Sequence, residues 1–250
     1  MPFLQQTWVV FSRALRLSVR NPTWVIIGLT QPILYLVLFG PLLKPLAASL
    51  GTANAWQLFV PGMLVQLGIF GSLFVGFALI SEYRAGVIEA MRVTPASRTA
   101  LLLGRVMRDV LVLLIQGVVL VCVAVPLGLR APVGGVLLGL LVVALLGAAF
   151  SSVSYALGLT LKSEDALAPL VNAVAIPLLL LSGILLPMTL APQWLQNVSD
   201  VNPVKHIVEG VRVLFTGTTN GTVVWGLGLT VLLVGLGLWY GTHTFRRESS

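Results

Sequence analysis

The sequence predicts an all-α integral membrane protein. Six transmembrane helices are expected, with an N-terminal interfacial amphipathic helix and an external re-entrant helical hairpin before the last span. Three observations carry that expectation. First, 57% of the 250 residues are hydrophobic and 9% are charged, against about a quarter charged in an ordinary soluble domain, and the mean hydropathy is +1.00. So few charges cannot cover a water-facing surface. Second, the charges are bunched. They leave uncharged runs at 21–43, 45–81, 110–129, 131–161, 166–199 and 213–245, each meeting the roughly 20 residues a helix needs to cross the hydrocarbon layer. Third, no period-2 alternation suggests a barrel, and backbone in lipid must satisfy its polar groups internally, so the runs read as helices.

The positions of the charges give a topology. With both termini cytoplasmic, the inner segments hold Arg13, Arg16, Arg20, Arg84, Arg92, Arg98, Arg105, Arg108, Lys162, Arg246 and Arg247, and the outer ones hold Lys44, Arg130, Lys205 and Arg212. That asymmetry follows the positive-inside rule for a multi-pass protein of the cytoplasmic membrane. The formal net charge of +7 is thereby used up in topology, and no basic stripe with interleaved aromatics remains for nucleic acid. The single cysteine, Cys122, falls within a span and forms no internal disulfide. No cleavable signal peptide is expected, because arginines interrupt the N-terminal apolar residues.

Taken in order, residues 1–22 are expected to lie on the membrane surface. A helix there puts Leu4, Trp8, Phe11, Leu15 and Val19 on one face and Arg13, Arg16 and Arg20 on the other. The alternative for this stretch is a topogenic basic leader. Asn21-Pro22 turns the chain into the first span, roughly 23–43. The second, about 57–81, carries Gly68, Ser72 and Gly76 at four-residue spacing, and Gly135 and Gly139 repeat the pattern in the fourth. Small residues so spaced let helix backbones approach closely.

Residues 82–98 form the most charged stretch of the chain, a short amphipathic segment ended by Thr94-Pro95, with Ser97 placed to cap the next helix. Arg105, Arg108 and Asp109 stand on the first turns of the third span, where they are expected to snorkel or to pair. After the fifth span Pro177, Gly183, Pro187 and Pro192 forbid one unbroken helix across 166–199. Pro192 and Trp194 open a short helix, and Asn202-Pro203 read as N-cap and first residue of another that carries Lys205, Glu209 and Arg212. Glu209 and Arg212 suit a surface ion pair. Residues 182–215 are expected to dip into the membrane from outside and return before the sixth span, about 222–242.

Several chemistries are missing. No Gly-Lys dipeptide exists, so there is no phosphate-cradling loop for ATP. His206 and His243 stand 37 residues apart without companion cysteines, so no metal site is indicated. No nucleophile elbow and no acidic pair inside a span appear. Such a chain is no enzyme, binds no cofactor of its own, and needs an energised partner.

Two stretches resemble a known family. Glu82-Tyr-Arg-Ala-Gly-Val-Ile-Glu-Ala-Met-Arg-Val-Thr-Pro-Ala-Ser-Arg98, followed by Leu-Leu-Leu-Gly-Arg, is similar to the cytoplasmic loop of type-2 ABC exporter permeases. Ser182-Gly-Ile-Leu-Leu-Pro, Pro-Gln-Trp-Leu and Asn-Pro-Val-Lys-His-Ile-Val-Glu-Gly-Val-Arg212 resemble that family's hairpin before the last span. The pattern is most similar to drug-efflux permeases of the daunorubicin-resistance type. One departure is Val87, where the family often has Thr.

The resemblance implies one permease domain over 1–250 that exports a drug or other lipophilic compound. It implies a second copy of the permease and two copies of a separate ABC ATPase subunit that bind ATP and Mg. The coupling contact would be made by Glu82, Arg84, Gly86, Val87, Ile88, Glu89, Met91 and Arg92. In the hairpin, Gly183, Pro187, Pro192, Trp194, Asn202, Pro203, Glu209 and Arg212 would shape the external segment. Export of a lipid or lipid-linked glycan suits the same greasy path, and a non-transporting scaffold or immunity protein is the alternative of a different class.

Overall fold

The computed structural model describes residues 3–21, 23–49, 54–86, 97–185 and 187–247, with no strand among them. Among the described residues ten α-helices appear in the order α1 (Phe3–Arg20), α2 (Thr23–Ser49), α3 (Ala55–Leu73), α4 (Val75–Arg84), α5 (Arg98–Leu127), α6 (Val133–Leu161), α7 (Glu164–Leu181), α8 (Gln193–Asp200), α9 (Pro203–Thr216) and α10 (Gly221–Arg247), with one 3-10 turn at Met188–Leu190. Six segments are long and apolar enough to cross a membrane: 25–42, 55–84, 98–127, 133–161, 164–181 and 221–247. This is a multi-pass membrane protein, as its uncharged runs require.

The core lies along α3 and α6. Phe59, Met63, Leu64, Leu67 and Ile69 of α3 pack with Val142, Val143 and Leu146 of α6 and with Ile207, Val211 and Phe215 of α9. The small-residue stripes make this packing possible, and they do so inside one chain. A Cβ at Gly68 would sit 3.3 Å from the Val143 carbonyl oxygen, one at Gly76 2.5 Å from that of Ser154, and one at Gly135 2.1 Å from that of Leu214. Such backbone-to-backbone approach gathers dispersion contacts where lipid removes the hydrophobic driving force. In contrast, α2 and α7 turn most of their apolar surface outward, with Ile26, Leu34, Leu38, Val174 and Leu180 exposed.

Local signals behave as the sequence suggests at several helix ends. Ser97 Oγ accepts from the Ala100 N–H at 3.2 Å, and Asn202 Oδ1 accepts from the Val204 N–H at 3.0 Å with Pro203 as first helical residue. Pro192 precedes α8, which holds Trp194. Gly217 ends α9 in the left-handed conformation at φ 81°, where a Cβ is disfavoured.

Three expectations are corrected. The second span is not one helix, because it is interrupted at Phe74. The third starts at Arg98, so Arg105, Arg108 and Asp109 stand on its third and fourth turns rather than its first. Pro177 lies within α7 and the fifth span ends at Leu181 instead, followed by Gly183 at φ 69°. Helix α1 forms over the expected residues, with Arg13, Arg16 and Arg20 exposed and Leu4, Trp8 and Val19 of its apolar face turned outward, where an interfacial helix meets lipid. Thr7 and Phe11 are its buried residues, and Gly104 of α5 lets it approach, since a Cβ there would lie 2.7 Å from Val10 Cβ.

Candidate functional site: an ion-paired base and a pinned hairpin

Charged side chains inside apolar helices need partners, because an unpaired ion in a low dielectric costs several kcal/mol. At the end of the bundle that carries α1, each of the three charges on the third and fourth turns of α5 finds one. Arg105 Nη2 lies 2.6 Å from Glu82 Oε2 on α4. Arg108 Nε lies 3.0 Å from Asp109 Oδ1, and its other nitrogens donate to Ser18 Oγ of α1 at 3.2 Å and to the Tyr155 hydroxyl of α6 at 3.3 Å. The Tyr155 hydroxyl donates to Asp109 Oδ2 at 2.6 Å. Pairing wins over snorkelling here because Arg105 and Asp109 are buried, at 7% and 4% exposure.

The ends of neighbouring helices are tied to this cluster. The Ser97 N–H donates to Gln6 Oε1 of α1 at 2.9 Å, and Arg98 Nη1 donates to the Arg246 carbonyl of α10 at 3.1 Å. Arg84 stands 3.6 Å from Glu164 of α7, a solvent-screened contact of little energetic weight. The network therefore joins α1, α4, α5 and α6 at the point where α4 hands the chain into the charged stretch. Of the predicted coupling residues, Glu82 is in this network, Arg84 stands beside Glu164, and Gly86 ends the described segment at φ 72°. Val87, Ile88, Glu89, Met91 and Arg92 lie outside the described residues. Arg13, Arg16 and Arg20 lie on the exposed side of α1.

At the other end, Arg212 of α9 is not in a surface ion pair with Glu209. Its Nε donates to the Leu58 carbonyl of α3 at 2.9 Å, and its Nη2 donates to the carbonyls of Gly183 at 2.7 Å and Ile184 at 3.3 Å. The planar guanidinium fork suits this three-way junction of α9, α3 and the turn after α7. Gly62 lets that turn approach, since a Cβ there would meet the Ile184 carbonyl oxygen at 2.5 Å. Glu209 instead faces Lys205 at 3.9 Å. Asn202 Nδ2 adds a bond to the Leu178 carbonyl of α7 at 3.1 Å. Lys205 Nζ donates to Asp200 Oδ1 at 2.5 Å, which holds that exposed carboxyl below the usual carboxylate range. The structure thus uses Gly183, Asn202, Pro203 and Arg212 as the hairpin's joints. Trp194 is exposed, at 67%.

Sequence reasoning missed Tyr155, Ser154 and Gln66. The first two belong to Ser151-Ser-Val-Ser-Tyr155, the densest hydroxyl run of its uncharged gap, which is the signal that points to them. Gln66 is 1% exposed on α3, and among the described residues neither its Nε2 nor its Oε1 has a partner. No group of His, Cys, Asp and Glu among the described residues is placed to hold a metal ion.

The architecture of six spans, a surface helix and a pinned hairpin agrees with the result of comparison with known proteins. A family model described as ABC-2 type transporter matches residues 5–216. The chain belongs to that family. Similar ABC-2 chains include the daunorubicin resistance ABC transporter permease protein DrrB1 of Streptomyces coeruleorubidus, 29% identical over 228 residues, which are 90% of this chain and 79% of the relative. A protein of Cyanophora paradoxa named as a transport permease, ycf38, is 30% identical over 218 residues, 86% of this chain and 75% of that one. DrrC of Mycobacterium tuberculosis, named for doxorubicin resistance, is 27% identical over 241 residues, 92% of this chain and 86% of the relative. This ABC-2 chain is therefore a transporter permease.

Proposed function

We propose that the chain is the permease subunit of an ATP-driven exporter. It moves a drug or other lipophilic compound out across the cytoplasmic membrane, energised by a separate ABC ATPase present in two copies. What supports the substrate class is the set of relatives named for daunorubicin and doxorubicin resistance. What supports the coupling is the ion-paired base at Glu82, which ties the segment entering the 82–98 stretch to α5 through Arg105. A push on that stretch is delivered to a helix that in turn holds α1 and α6 through Arg108 and Tyr155. The exposed apolar faces of α2 and α7 suit a second copy of the permease, so that a path forms between copies. Both termini are cytoplasmic in this reading.

The test uses the permease co-expressed with an ABC ATPase from the same genome. Ile88→Asp would place a charge in the apolar strip of the coupling stretch. The variant is expected to reach wild-type membrane levels, lose co-purification with the ATPase, and lose daunorubicin-stimulated ATP hydrolysis in proteoliposomes. Wild-type association and stimulation would reduce the stretch to a solvated connector.

A further inference from the structure

The interruption of the second span follows the small pair Gly71-Ser72 and has a second, tertiary contributor. No proline occurs between Pro61 and Pro95, and breaks of this kind arise from proline, from small-residue pairs, or from a side chain inserted into the helical hydrogen-bond ladder. Here the inserted side chain comes from another helix. Ser154 Oγ of α6 donates to the Leu73 carbonyl at 2.6 Å and accepts from the Gly76 N–H at 2.9 Å. Ser154 is fully buried, with 0% exposure, so water does not compete for either bond. At the same place the two backbones touch, since a Cβ on Gly76 would stand 2.5 Å from the Ser154 carbonyl oxygen and one on Gly158 2.9 Å from that of Gly76.

We propose that Phe74 is a hinge of the second span and that the Ser154 hydroxyl is its pin. The hydrogen bonds at the break can be exchanged for those of a straight helix. In a straight helix the Leu73 carbonyl would accept from the Phe77 N–H, and the Gly76 N–H would reach Ser72 O. In the bent form the Phe77 N–H turns to Phe74 O at 3.2 Å, Ser72 O accepts the Phe74 N–H, and Ser154 serves the two groups left over. In both forms the Leu73 carbonyl and the Gly76 and Phe77 N–H groups are partnered, as a bistable element requires. On one side of the hinge α3 is clamped in the core, with Gly68 against Val143. On the other, α4 buries only Gly76, Leu79 and Ile80 and leaves Phe74, Ala78 and Ser81 exposed. Movement arriving at Glu82 and Arg84 then tilts α4, and through Arg105 shifts α5, without dragging α3. It arrives there only if the stretch after Gly86 is the drive point proposed above. Ser154 is a positioning residue, touching no substrate.

Without the hydroxyl the bent form loses two bonds and the straight form loses none, so Ser154→Ala selects the straight form and Ser154→Thr keeps the choice. Spin labels at Ser81 on α4 and Leu137 on the exposed face of α6 report the tilt by pulsed dipolar spectroscopy. In the permease alone, in lipid nanodiscs, Ser154→Ala is expected to move that distance by about 2 Å or more, the scale of helix shifts in switching proteins, and Ser154→Thr to leave it at the wild-type value. In the complex with the ATPase, trapping with ATP and vanadate is expected to shift the wild-type distance and leave the alanine variant unresponsive. An unchanged distance in Ser154→Ala, even with lowered thermal stability, would show a merely structural serine and overturn the hinge. So would a wild-type complex that hydrolyses ATP while Ser81 stays fixed. Failure of the ATPase to bind wild-type permease would instead sink the exporter reading, and the permease-only measurement would still judge the hinge.

Discussion

Replacing Arg212 by Met keeps the aliphatic stem and removes the guanidinium that joins α9, α3 and the turn after α7. Three carbonyls lose a donor: Leu58, Gly183 and Ile184. Two of these bonds are short, at 2.9 and 2.7 Å, and bonds to a charged group contribute about 1.5–3 kcal/mol each. Arg212 is only partly buried, and the variant no longer desolvates a cation. The net loss is therefore expected below that sum, at about 2–4 kcal/mol. For a chain of this size that lowers the melting temperature by roughly 4–16 °C. Thermal unfolding of detergent-solubilised protein by intrinsic fluorescence measures it, since Trp56 lies in the adjoining core. Arg212→Lys offers one point donor in place of a fork and should fall between the two. Gly62→Ala pushes the same turn away from α3 and should reproduce the Met phenotype. A melting temperature within a degree or two of wild type for Arg212→Met would refute the idea that this side chain pins the hairpin.

Three further outcomes follow from the geometry. Tyr155→Phe removes the 2.6 Å donor to Asp109 Oδ2 and should cost about 1.5–3 kcal/mol in the same unfolding assay; an unchanged melting curve would mean that Arg108 alone satisfies the carboxylate. Gln66→Leu deletes two orphaned polar atoms in the core and should be neutral or stabilising by about 1 kcal/mol, whereas marked destabilisation would reveal a partner for the amide. The charge bias predicts that an impermeant maleimide added to intact cells labels Asn197→Cys and not Ala85→Cys, both exposed positions; the reverse pattern would invert the topology.

What was legible in the sequence is what depends on composition and on short-range pattern. Uncharged runs of 20 residues or more specify spans because lipid offers no other partner for backbone groups. Ser97, Asn202 and Pro203 specify helix starts because a cap is satisfied within three residues. The amphipathic leader is legible as a helix with an apolar and a basic face, but its contact with α5 is not, since Gly104 meets Val10 only in the fold. The stripes at Gly68–Gly76 and Gly135–Gly139 announce close approach without naming the neighbour.

By itself the sequence determined that this protein lives in a membrane, crosses it six times, breaks before its last span, and carries its charges at the ends of its helices. Only the tertiary structure decided which charges meet and what fills the break in a helix. Arg212 pairs in sequence with Glu209, three residues away, yet in space it serves carbonyls 28, 29 and 154 residues distant. Phe74 sits in an apolar stretch without proline, where Gly71-Ser72 marks a weak point, and which distant group fills the break, a serine 80 residues later, is settled only in the fold. Hydropathy and capping act over a few residues and are written along the chain. Long-range hydrogen bonds exist only once packing has brought their two ends within about 3 Å, and one sequence without its fold does not say which ends those are.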